Sequence, residues 1–163
     1  MISIRNLTLV AENGEERKEI LKGINLDIDD SLFVVLTGPN GGGKTTLAKV
    51  IMGLVKPTSG KIYYNDIDIT DMTITERARL GISYGFQQPP RFKGLKVRDL
   101  LELASGKDKL STTECCMYLN KVGLCAADYI DREVDASLSG GELKRIEIAT
   151  VLARSTKISL FDE

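Results

Sequence analysis

Apolar and polar residues alternate at the start of the chain and predict two strands, each with one solvent-facing side. Apolar residues occupy every second position over residues 2–4 and again over residues 24–28, which is the period of a strand with one buried face. Residues 12–15 lie between them and read Glu-Asn-Gly-Glu, whose Asn-Gly pair is typical of a hairpin turn. A β-hairpin is therefore expected at the N-terminus.

A continuous apolar run at residues 32–36 and the spacing that follows it predict a strand, a glycine-rich loop and a helix. Apolar residues in unbroken succession are typical of a strand buried on both faces, so this run is the expected central strand of a sheet. From Lys44 onward the apolar residues recur at helical intervals, until turn-forming residues at 56–60 end the pattern.

Shorter elements are expected next. Alternation over residues 61–70 predicts a peripheral hairpin that turns at its Asn-Asp pair. A short helix is expected over residues 75–80 and a strand over residues 82–86. The prolines and charges of residues 87–94 predict a segment that does not continue a sheet.

The remaining residues read as helices with recognisable starts, followed by one strand. Residues 97–122 carry helical spacing, and capping boxes begin one helix after Ser111 and another after Ser139, each with Glu three positions later. An apolar strand at residues 157–161 then ends in two carboxylates.

Composition narrows the classes of function. The 163 residues include 22 Lys and Arg against 23 Asp and Glu, and a net charge of -1 excludes the basic footprint of a dedicated nucleic-acid binder. The apolar runs are far shorter than the roughly 20 residues that span a bilayer, so no direct membrane insertion is expected. One domain is expected from the length of 163 residues. A location in the cytoplasm is expected, because the first residues carry no leader pattern. The absence of histidine excludes histidine catalysis within these residues.

A glycine-rich loop before the first predicted helix carries the most specific signal. Residues 38–45 fit the pattern G-x-x-x-x-G-K-[ST], in which backbone N–H groups and a helix N-terminus surround a phosphate. Lys44 is expected to reach the β- and γ-phosphates, and the hydroxyl of Thr45 to bind Mg²⁺. The predicted nucleotide-binding residues are Gly38, Pro39, Asn40, Gly41, Gly42, Gly43, Lys44, Thr45 and Thr46.

Two carboxylates at the end of the last predicted strand supply a second requirement of phosphoryl transfer. Taken alone, Asp162 and Glu163 are typical of a solvated strand end. In a chain with a phosphate loop, Asp162 is expected to hold Mg²⁺, and Glu163 to orient or deprotonate an attacking water.

The run Leu-Ser-Gly-Gly-Glu at residues 138–142 makes a family resemblance specific. It resembles the signature motif of ATP-binding cassette (ABC) ATPases, although as a helix cap alone it would be ordinary. The other family motifs occur in the family's order: the phosphate loop at 38–45, a glutamine at Gln87, the signature, and the Walker B strand at 158–163. The resemblance covers essentially the whole chain and implies ATP and Mg²⁺ as ligands.

The resemblance implies a fold and its subdivision. The expected class is α/β, a P-loop NTPase of the ABC cassette type with a mixed-sheet core, an N-terminal antiparallel β region and a helical insertion subdomain. One cassette is expected overall. Its ATP-binding core is placed at residues 1–87, its helical subdomain at 88–138, and its signature helix and Walker B strand at 139–163.

Further site roles follow from the resemblance. In this family two cassettes enclose two ATP molecules head to tail. Ser139, Gly140 and Gly141 are therefore expected to contact the γ-phosphate of ATP bound by a second cassette, in a homodimer that forms on ATP binding. Gln87 resembles the family's Q-loop glutamine, which contacts Mg²⁺ and the attacking water, and Gln88 is the alternative for the same task.

The residues around the signature indicate a branch of the family. The order Gly-Gly-Glu-x-Lys-Arg-x-Glu at residues 140–147 is more similar to the Suf-type ATPase of iron–sulfur cluster assembly, which works with a β-helical scaffold protein, than to most transporter cassettes. Phe-Gln-Gln-Pro at residues 86–89 also resembles that branch. The alternatives are the ATP-binding subunit of a membrane transporter, with a permease as partner, and a non-catalytic, nucleotide-gated interaction module. A GTPase is not favoured, because the sequence lacks an Asn-Lys-x-Asp motif.

The sequence departs from the family pattern in two ways. No aromatic residue precedes Phe33 to stack on adenine, so either Val10 serves by apolar contact or base stacking is weaker. The sequence also ends at Glu163, without the family's D-loop and switch histidine. A C-terminally truncated cassette is expected, which binds nucleotide but hydrolyses it poorly by itself.

Two further groups have less specific readings. The basic stretch at residues 91–98 is interpreted either as a docking surface for an acidic partner or as a solvated face. Cys115, Cys116 and Cys125 are too few and wrongly spaced for a disulfide framework or a two-pair zinc site. They are expected to be core or bystander thiols.

Overall fold

The computed structural model describes residues 1–13 and 16–162, and these form eight strands and six helices. The chain divides into two compact units, the first from Met1 to Leu80 and the second from Gly81 onward. The strands are β1 (Ile2–Asn13), β2 (Glu16–Ile28), β3 (Ser59–Tyr64), β4 (Ile67–Asp68), β5 (Ile82–Gly85), β6 (Phe92–Lys96), β7 (Glu133–Val134) and β8 (Ile158–Phe161). The helices are α1 (Lys44–Met52), α2 (Ile74–Arg79), α3 (Val97–Ser105), α4 (Thr112–Lys121), α5 (Ala126–Tyr129) and α6 (Gly140–Arg154).

An antiparallel sheet in the order β2-β1-β3-β4 belongs to the first unit. Strand β1 pairs on both sides, so Ile4 lies opposite Leu26 of β2 and Ile62 of β3. Ile4 and Ile62 are fully buried, as the alternating pattern requires. The predicted N-terminal antiparallel region is confirmed, and residues 14 and 15 of its predicted turn lie outside the described residues.

The predicted peripheral hairpin is confirmed as β3 and β4, whose register pairs Tyr64 with Ile67. The two residues between these strands, Asn65 and Asp66, have φ values of 47° and 65°. Positive φ at both central residues is the requirement of a type I′ turn, and Asn and Asp tolerate it better than most residues.

The predicted central strand is wrong. Residues 32–36 form no regular secondary structure, and their side chains are exposed, from 42% at Leu36 to 94% at Phe33. A strand needs a neighbouring backbone that accepts and donates its hydrogen bonds. None of the sheets in the described ranges includes this run. An apolar run favours burial, but its sequence does not specify which strand would pair with it.

Helix α1 follows the glycine-rich loop, as its spacing predicts. Its buried side chains include Leu47, Val50 and Ile51, which recur at helical intervals. The helix ends at Met52 and is capped by Gly53, which has a φ of 82° and whose N–H donates to the Val50 carbonyl. Helices commonly end at a glycine in the left-handed conformation, whose N–H donates to a carbonyl of the last helical turn.

A buried arginine ties α2 to the end of α1 within the first unit. Arg77 is 1% exposed, and its guanidinium donates to carbonyl oxygens at 2.7 to 3.1 Å. Burial lowers the pKa of this guanidinium below its ordinary value. Two of the acceptors lie in the last turn of α1, where carbonyls lack the regular helical donor four residues later. The acceptors are the carbonyls of Val50, Ile51, Thr70 and Met72.

We expect Arg77→Met to lower the free energy of unfolding by about 2 kcal/mol. The apolar side chain would leave buried carbonyls without their charged donor, and a hydrogen bond to a charged group is worth about 1.5–3 kcal/mol. Urea unfolding followed by circular dichroism measures the change. Arg79→Met is the matched control, because Arg79 lies on the same helix and is exposed. Equal midpoints for the two variants would contradict this role for Arg77.

The helices of the second unit share one apolar core. Helix α6 contacts α3 and α4, and Leu101, Leu119 and Ile146 are almost fully buried between them. The predicted capping boxes are confirmed, since Ser111 and Ser139 each accept from the backbone N–H three residues later. No helix in the described part of the chain is both long and apolar enough to cross a membrane.

A short antiparallel pair corrects the prediction that residues 87–94 do not continue a sheet. Strand β6 begins at Phe92, which lies opposite Val134 of β7. The local composition misses this strand because its partner lies about forty residues away. The two prolines precede the strand and so interrupt no ladder hydrogen bonds.

Candidate functional site

The phosphate loop lies directly before α1 in the first unit, and Lys44 is the first residue of that helix. The Lys44 ammonium donates to the carbonyl oxygens of Gly38 at 2.8 Å and Pro39 at 3.0 Å. The Gly42 N–H donates to the same Pro39 carbonyl at 3.1 Å. These bonds fold the loop back over the helix start and place a cation inside it.

One side of this loop is packed and the other is open. A Cβ atom at Gly43 would lie 3.0 Å from a methyl of Leu21 and 3.2 Å from the Ile20 carbonyl, and Gly43 has a φ of 86°. A Cβ at Gly41 would meet no atom within 4 Å. The first turn of α1 contains no acidic residue, so its N–H groups and the Lys44 charge favour an anion. The loop therefore fits the phosphates of a nucleotide.

The second unit brings Gln87 and Asp162 to one edge of a strand pair. Strands β5 and β8 are parallel, with Gly85 opposite Phe161. Asp162 directly follows β8, and Gln87 follows β5 after one intervening residue, Phe86. The Asp162 N–H donates to the Gly85 carbonyl at 3.1 Å, which continues the pairing by one residue. Glu163, the predicted catalytic carboxylate, lies outside the described residues.

Tyr84 is a site residue that the sequence analysis missed. Its hydroxyl donates to Oδ2 of Asp162 at 3.1 Å, and both residues are buried. Burial, followed by the bond to Asp162, raises the pKa of Tyr84 to about 12. The tyrosine therefore stays a neutral donor that orients the carboxylate. Only the pairing of β5 with β8 brings the two together, so no local sequence signal indicates the contact.

The predicted signature residues lie at the start of α6. Ser139 is the N-cap, and its hydroxyl accepts from the Glu142 N–H at 3.3 Å. Gly140 and Gly141 are exposed, and a Cβ at either would meet no atom within 4 Å. The helix start is thus accessible, as a site for a phosphate requires.

Glu142 is held by partners beyond its own capping box. It accepts from the Tyr129 hydroxyl and from the Ser139 N–H, and it lies 3.6 Å from a guanidinium nitrogen of Arg132. These contacts, with the Tyr129 bond the largest cause, lower the pKa of Glu142 to about 2.

The Mg²⁺ expected from the sequence would not be held by a cluster of protein side chains alone. Within residues 1–13 and 16–162, no three His, Cys, Asp or Glu side chains are grouped to hold a metal ion. Magnesium commonly uses one or two carboxylates together with substrate phosphates and water. A hydroxyl at Thr45 and a carboxylate at Asp162 are donors of the kind that Mg²⁺ takes.

The family described as ABC transporter matches residues 21–163 of this sequence. The chain belongs to the ABC transporter family. An uncharacterized ABC transporter ATP-binding protein of Methanocaldococcus jannaschii is 43% identical over 90% of the chain, which covers 61% of that relative. The iron–sulfur cluster assembly protein SufC of Plasmodium falciparum is 35% identical over the whole chain, which covers 50% of that protein. The chain thus spans about half to three fifths of the length of these relatives.

Solved ABC structures agree with the fold. The ATP-binding cassette MJ0796, in a dimeric post-hydrolysis state bound to ADP and Pi, matches with a TM-score of 0.87 at 29% identity. The match covers 100% of this chain and 74% of that one. The predicted P-loop NTPase fold of the ABC type is therefore confirmed.

We expect the loss of folding stability of this ABC cassette at low pH to depend on Glu142. Its pKa of about 2 in the folded state lies below its ordinary value of 4.5. Its stabilising contribution is therefore complete above pH 4.5 and disappears as the pH falls towards 2. Urea midpoints measured over this range should fall less in Glu142→Gln than in the natural protein. Parallel declines would contradict the assignment.

Proposed function

We propose that this ABC chain binds Mg-ATP and hydrolyses it, although poorly by itself. The observation that carries the proposal is the phosphate loop, in which Lys44 extends from the first turn of α1 over a cradle that is open at Gly41. Family membership supports it, as does the similarity to a cassette whose structure holds ADP and Pi.

Each predicted site residue then has a role. Lys44 exchanges its bonds to loop carbonyls for oxygens of the β- and γ-phosphates. Thr45 and Asp162 hold Mg²⁺, which neutralises charge on the phosphates. Gln87 contacts the metal and the attacking water, and Glu163 orients or deprotonates that water.

A second copy of the cassette completes the proposed site. Ser139, Gly140 and Gly141 of one copy offer a hydroxyl and backbone N–H groups to the γ-phosphate bound by the other. The exposure of both glycines at the start of α6 supports this role. The dimeric state of the MJ0796 cassette supports a head-to-tail homodimer.

Sedimentation velocity tests the proposal. We expect the Glu163→Gln variant, in which ATP persists, to move from monomer to dimer when ATP and Mg²⁺ are added. Gly141→Asp should abolish the shift, because its carboxylate would repel the γ-phosphate at an exposed helix start. Thr113→Asp is the matched control, since Thr113 is an exposed residue of the same unit and, like Gly141, the second residue of its helix. A monomer under all conditions would contradict the dimeric site.

We further propose iron–sulfur cluster assembly as the process that the ATPase drives, with a β-helical scaffold protein as partner. The support is the order Gly-Gly-Glu-x-Lys-Arg-x-Glu at residues 140–147 and the 35% identity to SufC over the whole chain. Transport is the second candidate, because the 43% identical relative is named an ABC transporter ATP-binding protein. In that case the partner is a membrane permease.

Stimulation of ATP hydrolysis separates these two candidates. A purified β-helical scaffold protein should raise the ATPase rate of the cassette in a concentration-dependent manner. Stimulation by a reconstituted permease, with no response to the scaffold, would assign the chain to transport.

A further inference from the structure

Two charged side chains of the signature helix hold the backbone of Phe86, the residue directly before Gln87. The Phe86 N–H donates to Oε1 of Glu147 at 2.7 Å, and the Lys144 ammonium donates to the Phe86 carbonyl at 2.6 Å. Lys144 and Glu147 also pair with each other at 3.1 Å. We call these two side chains the Phe86 clamp.

The clamp supplies hydrogen bonds to the N–H and carbonyl of Phe86, which lie beyond the end of the strand. Strand β5 ends at Gly85, so the Phe86 backbone lies beyond its paired residues. The two side chains are 23% and 10% exposed, respectively. Removing one member of such a pair leaves a partly buried charge without its partner, so the two act as a unit.

The surroundings of Phe86 leave this strand end little freedom. A Cβ atom at Gly85 would lie 2.6 Å from the ring of Phe161 and 3.6 Å from Oε2 of Glu147. The Phe86 ring packs edge-on against Tyr84, with centroids 5.0 Å apart. Tyr84 in turn donates to Asp162. The peptide before Gln87 is therefore connected to the signature helix through its backbone and to the proposed metal ligand through its ring.

We propose that Lys144 and Glu147 are positioning residues that fix the placement of Gln87 relative to the signature helix. The inference rests on the proposed function, in which Gln87 contacts Mg²⁺ bound with ATP. A shift of α6 would carry the Phe86 peptide with it, and a shift of Gln87 would reach α6 by the same bonds. The signature helix and the glutamine then respond together to bound Mg-ATP.

Amide hydrogen exchange tests the contact itself. Glu147→Leu should speed exchange at the Phe86 amide by about tenfold or more, because the N–H loses its acceptor. Glu147→Gln keeps an acceptor oxygen and should restore slow exchange. For the other member of the clamp, the variant is Lys144→Met, which enters the double-mutant cycle described next. Its matched control is Arg145→Met, because Arg145 lies on the same helix and contacts Gly123. Unchanged exchange in Glu147→Leu would overturn the clamp.

A double-mutant cycle tests the positioning role. ATP affinity is measured with EDTA and with Mg²⁺ for Lys144→Met, Gln87→Ala and the double variant. Each single variant should keep the affinity in EDTA and lose about five- to tenfold of the enhancement by Mg²⁺, and the double variant should lose no more. Additive losses would show that Lys144 acts independently of Gln87 and would overturn the proposal. Absence of ATP binding by the natural protein would instead contradict the proposed function.

Discussion

Lys44→Met is expected to weaken ATP binding at least 100-fold. The Lys44 ammonium lies in the phosphate loop, where it donates to the carbonyls of Gly38 and Pro39. Loss of its charge-assisted bonds to two phosphates removes about 3 kcal/mol, and each 1.4 kcal/mol changes the dissociation constant about tenfold. Isothermal titration calorimetry with ATP and Mg²⁺ measures the loss.

A neighbouring lysine supplies the control for this prediction. Lys49→Met removes a cation from the last turn of the same helix, away from the loop, and should leave ATP affinity within about twofold of the natural value. If the two variants bind ATP equally well, the loop is not the phosphate site.

Glu163→Gln is expected to lower the rate of ATP hydrolysis about 1000-fold and leave ATP affinity unchanged. A positioned general base contributes roughly 100- to 10,000-fold to a rate, and glutamine keeps the size of the side chain without its basicity. Single-turnover hydrolysis, together with calorimetry, separates the chemical step from binding.

The same variant distinguishes an ATPase from a nucleotide-gated interaction module. Glu133→Gln is the matched control, because Glu133 is an exposed residue of β7. If Glu163→Gln hydrolyses ATP at the natural rate, the carboxylate has no catalytic role and the module interpretation is favoured.

Local patterns predict much of this fold because their physical causes are local. A capping box needs only Ser and Glu three positions apart, and both predicted boxes form, at Ser111 and Ser139. The Asn65-Asp66 turn and the helix from Lys44 likewise depend on residues close in sequence. The phosphate loop belongs to the same class, since its glycines and lysine lie within eight positions.

Features that depend on distant partners could not be predicted in this way. The run at residues 32–36 has the composition of a buried strand, yet pairing requires a neighbouring backbone that no pattern specifies. Strand β6 was missed for the converse reason, since β7 supplies its partner. The polar contacts of Arg77 and Tyr84 join segments separated by up to seventy-eight residues. The residues next to Arg77 and Tyr84 in the sequence give no indication of these contacts.

The most direct test of the proposed nucleotide site is calorimetric titration of this chain with ATP, ADP and AMP in the presence of Mg²⁺. Because the phosphate loop is proposed to bind the β- and γ-phosphates, ATP and ADP should bind, and AMP should bind at least 100-fold more weakly. Equal affinity for ATP and AMP, or no binding of ATP, would contradict the proposal that the loop ending at Lys44 is a nucleotide-phosphate site.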